Sequence, residues 1–248
     1  MQTPGTAGFT LNPMRTRTKL TALFVACAAL AAGAVAHAAP IPVAMYTFQS
    51  QDDVNAFQKV FGVKCKRKWA GNQVMSIAVR EGSSCLYRTS VVADSSDLYA
   101  DQGMVATTTL SGGSKKAAAK SFVGVGVRRS DNAGYVLRVL PNKHRWQYLR
   151  DPKGAAGLKL EASGGGKFIK VGAKANTVAL RAFSRGTTTT SLVGQVNGRS
   201  VVSTSDSSAD QPDGRQTVVM SGVKGTGSAA GVTGFFDNVT VQVPNPFG

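Results

Sequence analysis

The sequence predicts an all-β sandwich, and three observations support that prediction. Apolar and polar residues alternate at period two in roughly twelve to fourteen short segments, which is typical of strands. Clusters of Gly, Pro, Asn, Asp and Ser separate these segments at regular spacing and indicate turns. The chain after the N-terminal segment is rich in Val, Thr, Ser and Gly and shows no long amphipathic pattern that would predict a helix.

The first half of the chain contains five predicted strand segments. They span residues 41–49, 60–69 (interrupted at Gly62), 72–80, 85–91 and 104–110. Residues 50–56 begin with Ser50 and are predicted to form a short loop or a single helical turn. Residues 111–120, with the sequence SGGSKKAAAK, are predicted to form a hairpin connection or a flexible loop.

The central stretch, residues 121–151, is predicted to form three consecutive strands joined by two tight turns. Val123, Val125 and Val127 alternate with Gly124 and Gly126 in the first strand. A period of two fits a pleated strand and excludes a helix. The glycines are expected to leave room on their face for close approach of a backbone or a ligand.

Alternation also predicts which face each aromatic and arginine side chain of this stretch occupies. Tyr135 and Arg138 in the second strand fall on opposite faces, so they share a surface only if a bulge intervenes. Trp146, Tyr148 and Arg150 share one face of the third strand. Two roles stay open for the aromatic residues, namely contact with a ligand and half-buried packing in the core.

The second half continues the same pattern. Predicted strands span residues 158–162, 177–184, 191–196, 199–204, 218–221 and 233–243. Asn197-Gly198, between two of them, is the strongest short hairpin signal in the chain.

The N-terminal segment is predicted to be a secretory signal peptide covering residues 1–38. Arg15, Arg17 and Lys19 form a basic region, an alanine-rich apolar run follows, and Ala36-His37-Ala38 fits a cleavage site. Met14 is an alternative start. The mature chain, residues 39–248, is expected to form a single β-sandwich domain that is secreted to the cell exterior or the cell wall, with no membrane span.

Two cysteines remain after cleavage at Ala38. Cys65 and Cys85 are an even pair in an exported chain, which predicts one disulfide between them. The alternative is two buried free thiols, which export disfavours.

The mature chain is strongly basic. Removing the three basic residues of the signal peptide from 29 leaves 26 against 13 acidic residues, a net charge of +13. Lys64, Lys66, Arg67 and Lys68 form a local cluster within this excess. Such a surface suits an anionic cell-wall polymer or an acidic polysaccharide. Nucleic acid is not an expected partner, because no nucleic-acid-binding motif accompanies the charge.

The second half resembles a known family in its motifs. The pattern comprises the strand 124–128, the turn Asp131-Asn132, the strands 135–139 and 146–149, the Asn197-Gly198 hairpin and the closing segment GVTGFFDNVTV at 231–241. It resembles the concanavalin A-like lectin/glucanase superfamily, in particular laminin-G-like and family-16-glycosidase-like modules. The resemblance covers residues 122–243 and implies a jelly-roll sandwich of two antiparallel sheets with ligands on the concave face.

The chain departs from the glycosidases of that superfamily in its acidic residues. Those enzymes carry a Glu-x-Asp-x-x-Glu strand, because hydrolysis uses two carboxylates at a defined separation. Here Glu81 and Glu161 are the glutamates of the mature chain, and neither lies in such a motif. His144 is its one histidine, which disfavours histidine-rich metal sites. The protein is therefore not expected to be an enzyme, and no cofactor is required.

These observations predict a secreted, non-catalytic protein that binds carbohydrate or an anionic cell-envelope polymer. The alternatives are a hydrolase or lyase of the same fold that acts on glycans, and a structural or interaction protein without a small ligand. Sugars bind through aromatic faces and through the forked donors of arginine. The candidate ligand-binding residues are accordingly Arg128, Tyr135, Arg138, Trp146, Tyr148 and Arg150. The resemblance also implies a structural calcium ion at Asp237, which lies in the closing strand.

Overall fold

The structure is a computed structural model. It describes residues 40–72, 74–80, 83–89, 101–112, 115–130, 133–154, 157–185, 188–224 and 231–243. The predicted signal peptide, its cleavage site and the Asp131-Asn132 turn lie outside the described residues.

The described residues form fifteen strands and two α-helices. The helices are α1 (Gln51–Asn55) and α2 (Lys115–Lys120). The strands, in chain order, are β1 (Ile41–Tyr46), β2 (Phe57–Phe61), β3 (Cys65–Trp69), β4 (Met75–Val79), β5 (Ser84–Thr89), β6 (Gln102–Ser111), β7 (Ser121–Ser130), β8 (Ala133–Leu140), β9 (Arg145–Asp151), β10 (Lys159–Gly165), β11 (Asn176–Arg185), β12 (Thr189–Val196), β13 (Arg199–Asp206), β14 (Gln216–Val223) and β15 (Val232–Val243).

The strands form two antiparallel sheets. Sheet A has eight strands in the order β13-β12-β11-β6-β15-β4-β3, with β1 paired to β15. Sheet B has seven strands in the order β10-β9-β8-β7-β14-β5-β2. The predicted sandwich of two antiparallel sheets is confirmed. Strand β13 of sheet A lies beside β10 of sheet B at one edge, and β3 lies beside β2 at the other.

The main core fills the space between the sheets, because each strand turns its apolar positions inward at period two. Val123, Val125 and Val127 of β7 are fully buried there together with Leu137 of β8 and Phe236 of β15. A second buried cluster covers the opposite face of sheet B, with Phe122, Val136, Leu149, Val218 and Met220 among its members. The central strands of sheet B therefore bury apolar side chains on both faces.

The segment at residues 111–120 differs from its prediction. It joins β6 in sheet A to β7 in sheet B, so it crosses between the sheets and is not a hairpin. Part of it forms α2, because Lys115–Lys120 contains three consecutive alanines, the best helix formers. The helical turn predicted near Ser50 is confirmed as α1, and the Ser50 hydroxyl accepts a hydrogen bond from the Asp52 amide.

The predicted disulfide is confirmed and joins the two sheets. Cys65 lies in β3 of sheet A and Cys85 in β5 of sheet B, with their Cα atoms 5.9 Å apart. In the chain-entropy account, a bond that closes a loop of this size stabilises the fold by about 3 kcal/mol. It fixes the two sheets to each other at the edge formed by β2 and β3.

No helix among the described residues is long and apolar enough to cross a membrane.

Candidate functional site

The six candidate residues lie on three consecutive strands but do not form one surface. Arg128 lies in β7, Tyr135 and Arg138 in β8, and the other three in β9. Tyr135, Trp146 and Tyr148 turn toward sheet A, where they belong to the main core or pack against it. Arg138 points to the opposite face of sheet B, over Phe122. The predicted opposition of Tyr135 and Arg138 is confirmed.

Tyr135 and Tyr148 form the buried aromatic centre of this region. Their rings stack with centroids 6.4 Å apart, and their exposed fractions are 0% and 4%. Burial raises the pKa of both phenols, and at Tyr135 the hydrogen bond to Asp206 raises it further. The Tyr135 hydroxyl donates that bond to Asp206 Oδ2 over 2.8 Å. A ligand cannot reach the Tyr135 ring without opening the sandwich.

Arg128 joins the two sheets through its side chain. It has a left-handed φ of 50° next to a bulge in the β7–β8 pairing. Its guanidinium donates to the hydroxyls of Thr190 and Ser184 and lies 3.4 Å from Asp101. Burial lowers its pKa, and Asp101 partly opposes that shift. The two terminal nitrogens of the Arg128 guanidinium thus bind groups of the protein, between β7 and sheet A.

Arg138 lies in the space that the glycines of β7 leave open. A Cβ at Gly124 would clash with the Leu137 carbonyl oxygen and come within 2.8 Å of Arg138 Cβ, so a larger residue would push β8 and the base of this side chain away. The guanidinium carbon lies 4.1 Å from the centroid of the Phe122 ring, and Nε donates to Gln147 Oε1 over 2.9 Å. Burial lowers the pKa of Arg138 to about 10. No carboxylate of the described residues forms an ion pair with it.

Two of the six candidates, Tyr148 and Arg150 of β9, line a groove at one edge of the sandwich. We call it the β10–β13 groove, and its volume is about 500 Å³. It is lined by Tyr148, Arg150, Glu161, Ala162, Val201, Val202, Ser203, Thr204, Ser205, Asp206 and Ser208. Its volume is within the usual range for small-molecule sites.

Arg150 and Asp206 form the charged part of the groove. Arg150 Nε lies 2.6 Å from Asp206 Oδ2, and their side chains are 13% and 10% exposed. Asp210 also accepts a hydrogen bond from Arg150. Burial alone would lower the pKa of Arg150 and raise that of Asp206. The hydrogen bonds outweigh burial in both cases, so the pKa of Arg150 lies above its usual value and that of Asp206 below it.

The groove thus offers many hydrogen-bonding groups but little unbalanced positive charge. Ser203, Thr204, Ser205 and Ser208 are exposed hydroxyl-bearing residues of the lining, and the exposed Glu161 brings a carboxylate. The Ser208 hydroxyl already binds Arg150 and Asp206. Hydroxyls donate and accept, and carboxylates accept, so the set matches the hydroxyls of a sugar. Asp206 cannot act as a general acid near neutral pH, because it accepts bonds from Tyr135, Arg150 and Ser208 that hold it ionised.

Trp146 lies beside the groove. It shares the inward face of β9 with Tyr148, two residues away, and pairs with Gly164 of β10. A Cβ at Gly164 would come within 2.8 Å of the indole ring, so only glycine leaves room for it. Trp146 is partly buried against the main core.

The sequence analysis identified Tyr148 and Arg150 on the β9 side of the groove but none of the residues on the β13 side. Asp206 and Ser208 lie 56 and 58 residues after Arg150, and the packing of β13 beside β9 and β10 brings them together. The polar run Ser205-Asp206-Ser207-Ser208 was the available signal, but a surface loop gives the same pattern.

Asp237 lies in β15 at a bulge. The strand pairing shifts between Asp237 and Thr240, and Asn238 has a left-handed φ of 48°. No group of three or more His, Cys, Asp or Glu residues in the described part of the chain could hold a metal ion. Calcium binding at Asp237 therefore stays a prediction.

No family model matches the chain, and no curated protein matches it. Among solved structures, it is similar to endo-1,3-β-glucanase from Streptomyces sioyaensis, with a TM-score of 0.54 and 10% identity, over 73% of this chain and 79% of the glucanase. It is also similar to the carbohydrate recognition domain of Emp46p, with a TM-score of 0.54 and 9% identity, over 82% of this chain and 95% of that domain. These similarities show that the protein has a concanavalin A-like jelly-roll fold, as predicted.

Proposed function

We propose that the protein is an exported, non-catalytic carbohydrate-binding protein that holds a neutral saccharide in the β10–β13 groove. The observation that carries this proposal is the lining of the groove. Polar residues of β13, among them Thr204 and Asp206, line the same open groove as Glu161 of β10 and Tyr148. Two proteins of the same fold, a glucanase and a carbohydrate recognition domain, have names that refer to carbohydrates.

The charges of the groove favour a neutral ligand over an acidic one. Its one arginine, Arg150, already binds Asp206 and Asp210. Glu161 adds a further negative charge. A sugar carboxylate placed here would meet carboxylates of like charge, whereas sugar hydroxyls could donate to them.

Export is supported by the disulfide between Cys65 and Cys85, since such bonds persist in oxidising compartments. The signal peptide at residues 1–38 stays a prediction of the sequence.

One observation favours catalysis as a second candidate function. Glu161 and Asp206 line the same groove, and glycoside hydrolysis uses a pair of carboxylates. A retaining or inverting mechanism also needs one of them protonated at the start. The other must be an ionised carboxylate that is free to act as nucleophile or base. Both oxygens of Asp206 already accept hydrogen bonds from Tyr135, Arg150 and Ser208, so binding is the better-supported function.

The proposal is tested by calorimetry with neutral hexasaccharides, namely β-1,3-glucan, β-1,4-glucan and mannan oligomers. Glu161→Gln is expected to weaken binding about tenfold, which corresponds to the loss of one charge-assisted hydrogen bond. Asp213→Asn is the matched control, because Asp213 pairs with Lys153 in an exposed ion pair outside the groove.

Three results would contradict the proposal. The first is no binding of any oligomer by the unchanged protein, and the second is equal affinity of Glu161→Gln and Asp213→Asn for every oligomer. The third is release of new reducing ends from a glycan polymer that disappears in Glu161→Gln, which would make the protein an enzyme.

A further inference from the structure

The edge of the sandwich opposite the β10–β13 groove concentrates positive charge. We call it the basic edge, and its cations are Lys59, Lys64, Lys66, Arg67, Lys68 and Arg80. They line two hollows of about 610 and 630 Å³. Both hollows include Lys59, Cys65 and Lys66, so they adjoin and form one surface.

These cations lack acidic neighbours within the described lining. No Asp or Glu of the described residues lines either hollow. The nearest acidic residues along the chain are Asp52 and Asp53 in α1 and Glu81 after Arg80, and Glu81 lies outside the described residues. Asp53 accepts a hydrogen bond from the Gln49 amide. These three acidic residues do not balance the six cations, so the basic edge carries a net positive charge. That charge is available to a partner.

The geometry of β3 arranges part of this charge in a line. Lys66 and Lys68 pair with Ala78 and Ser76 on the outward face of sheet A, about 6.8 Å apart along the strand. Arg67 points the other way, and its guanidinium carbon lies 5.5 Å from the centroid of the Tyr87 ring. Because β3 ends sheet A, these side chains border solvent along the whole strand.

The basic edge is held rigid and carries apolar surface as well as charge. The disulfide of Cys65 fixes β3 to β5 between the two hollows. Trp69, which ends β3, is 41% exposed, and its indole Nε1 donates to the Phe48 carbonyl over 2.8 Å. Phe61, which ends β2, is 60% exposed. Exposed aromatic rings beside cations suit the apolar face and the acidic group of a charged sugar.

We propose that the basic edge is a second binding site, which takes a single acidic polysaccharide chain bearing carboxylate or sulfate groups. Lys64, Lys66 and Lys68 follow a single edge strand, so the site fits a single extended chain better than the broad surface of a nucleic-acid duplex. The site is separate from the β10–β13 groove and does not depend on the proposed function.

The test measures binding of the full chain to oligogalacturonate and to sulfated dextran of equal charge, with single-stranded DNA of equal charge as a third ligand. The triple variant Lys64→Gln, Lys66→Gln, Lys68→Gln is expected to bind the acidic glycans roughly tenfold more weakly at low salt. The slope of log affinity against log salt should fall by about two for the three lost contacts. Preference for oligogalacturonate or for sulfated dextran identifies the acidic group.

The matched control is Lys167→Gln, Lys170→Gln, Lys174→Gln. It removes the same charge from exposed lysines between β10 and β11. We expect it to keep the affinity and the salt slope, and both triple variants to unfold at the temperature of the unchanged protein. Equal weakening in both variants would overturn the proposal, because net charge would then explain binding. Tighter binding of DNA than of either glycan would overturn the choice of partner.

Lysines on an edge strand also discourage pairing with other strands. Unchanged glycan binding by the Lys64, Lys66, Lys68 variant, together with self-association in size-exclusion chromatography, would assign the lysines to that protective role and overturn the proposal. Glu161→Gln should leave acidic-glycan binding unchanged, so failure here and failure at the groove are distinguishable.

Discussion

The two edges of the sandwich use charge in different ways. At the β10–β13 groove, Arg150 binds Asp206 and Asp210, and Asp206 also accepts the buried Tyr135 hydroxyl. At the basic edge, Lys66 and Lys68 lie exposed on the last strand of sheet A without a described ion-pair partner. Charges of the first kind hold the fold together, and charges of the second kind are free to attract a partner.

The largest expected difference between the edges is the loss of free energy of unfolding when one cation is removed from each. Arg150→Met leaves Asp206 largely buried without its ion pair and is expected to lower the free energy of unfolding by roughly 2 kcal/mol. This value is below that for a fully buried pair, because both side chains keep some exposure. Lys66→Met is expected to change it by no more than about 0.5 kcal/mol. Urea unfolding of the two variants measures both values, and equal losses would contradict the distinction.

The strands of the centre could be predicted from the sequence because their signals are local. Period-two alternation gave the three strands of residues 121–151 and the opposite faces of Tyr135 and Arg138. Cys65 and Cys85 could be paired because they are the two cysteines that follow the predicted signal peptide. The first residues of β2 and the helix α2 were missed, since each is short and its pattern is weak.

The sites could not be predicted in the same way, because each joins distant segments. Tyr135 meets Asp206 across 71 residues, a contact that depends on which strands end the two sheets. The Lys64–Lys68 cluster was visible in the sequence, but the packing of the two sheet edges adds Lys59 and Arg80 to it. Arg128 was a candidate for its residue type, whereas burial commits its guanidinium to Thr190, Ser184 and Asp101.

The pH dependence of stability should also distinguish the two edges, by a smaller effect than the substitutions of Arg150 and Lys66. The pKa of Asp206 lies lower in the folded protein than its unfolded value of about 3.9. Asp206 therefore stabilises the fold above pH 4, and this contribution is lost as the pH falls from about 4 through the folded pKa. Asp206→Asn should flatten the decline in the free energy of unfolding below pH 4. Lys66→Gln should leave the decline unchanged, since no described carboxylate forms an ion pair with Lys66, and a flatter curve for Lys66→Gln would contradict this account.

The central claim is that the two edges bind chemically different glycans, and the two tryptophans of the chain allow a direct test. Trp146 lies two residues from Tyr148 of the β10–β13 groove, and Trp69 follows Lys68 of the basic edge. Trp69→Phe and Trp146→Phe therefore each leave one fluorescent reporter. Titration with a neutral β-glucan hexasaccharide should change only the emission of Trp146. Titration with oligogalacturonate should change only that of Trp69. A response of both tryptophans to one glycan, or of Trp146 to the acidic glycan alone, would contradict the account.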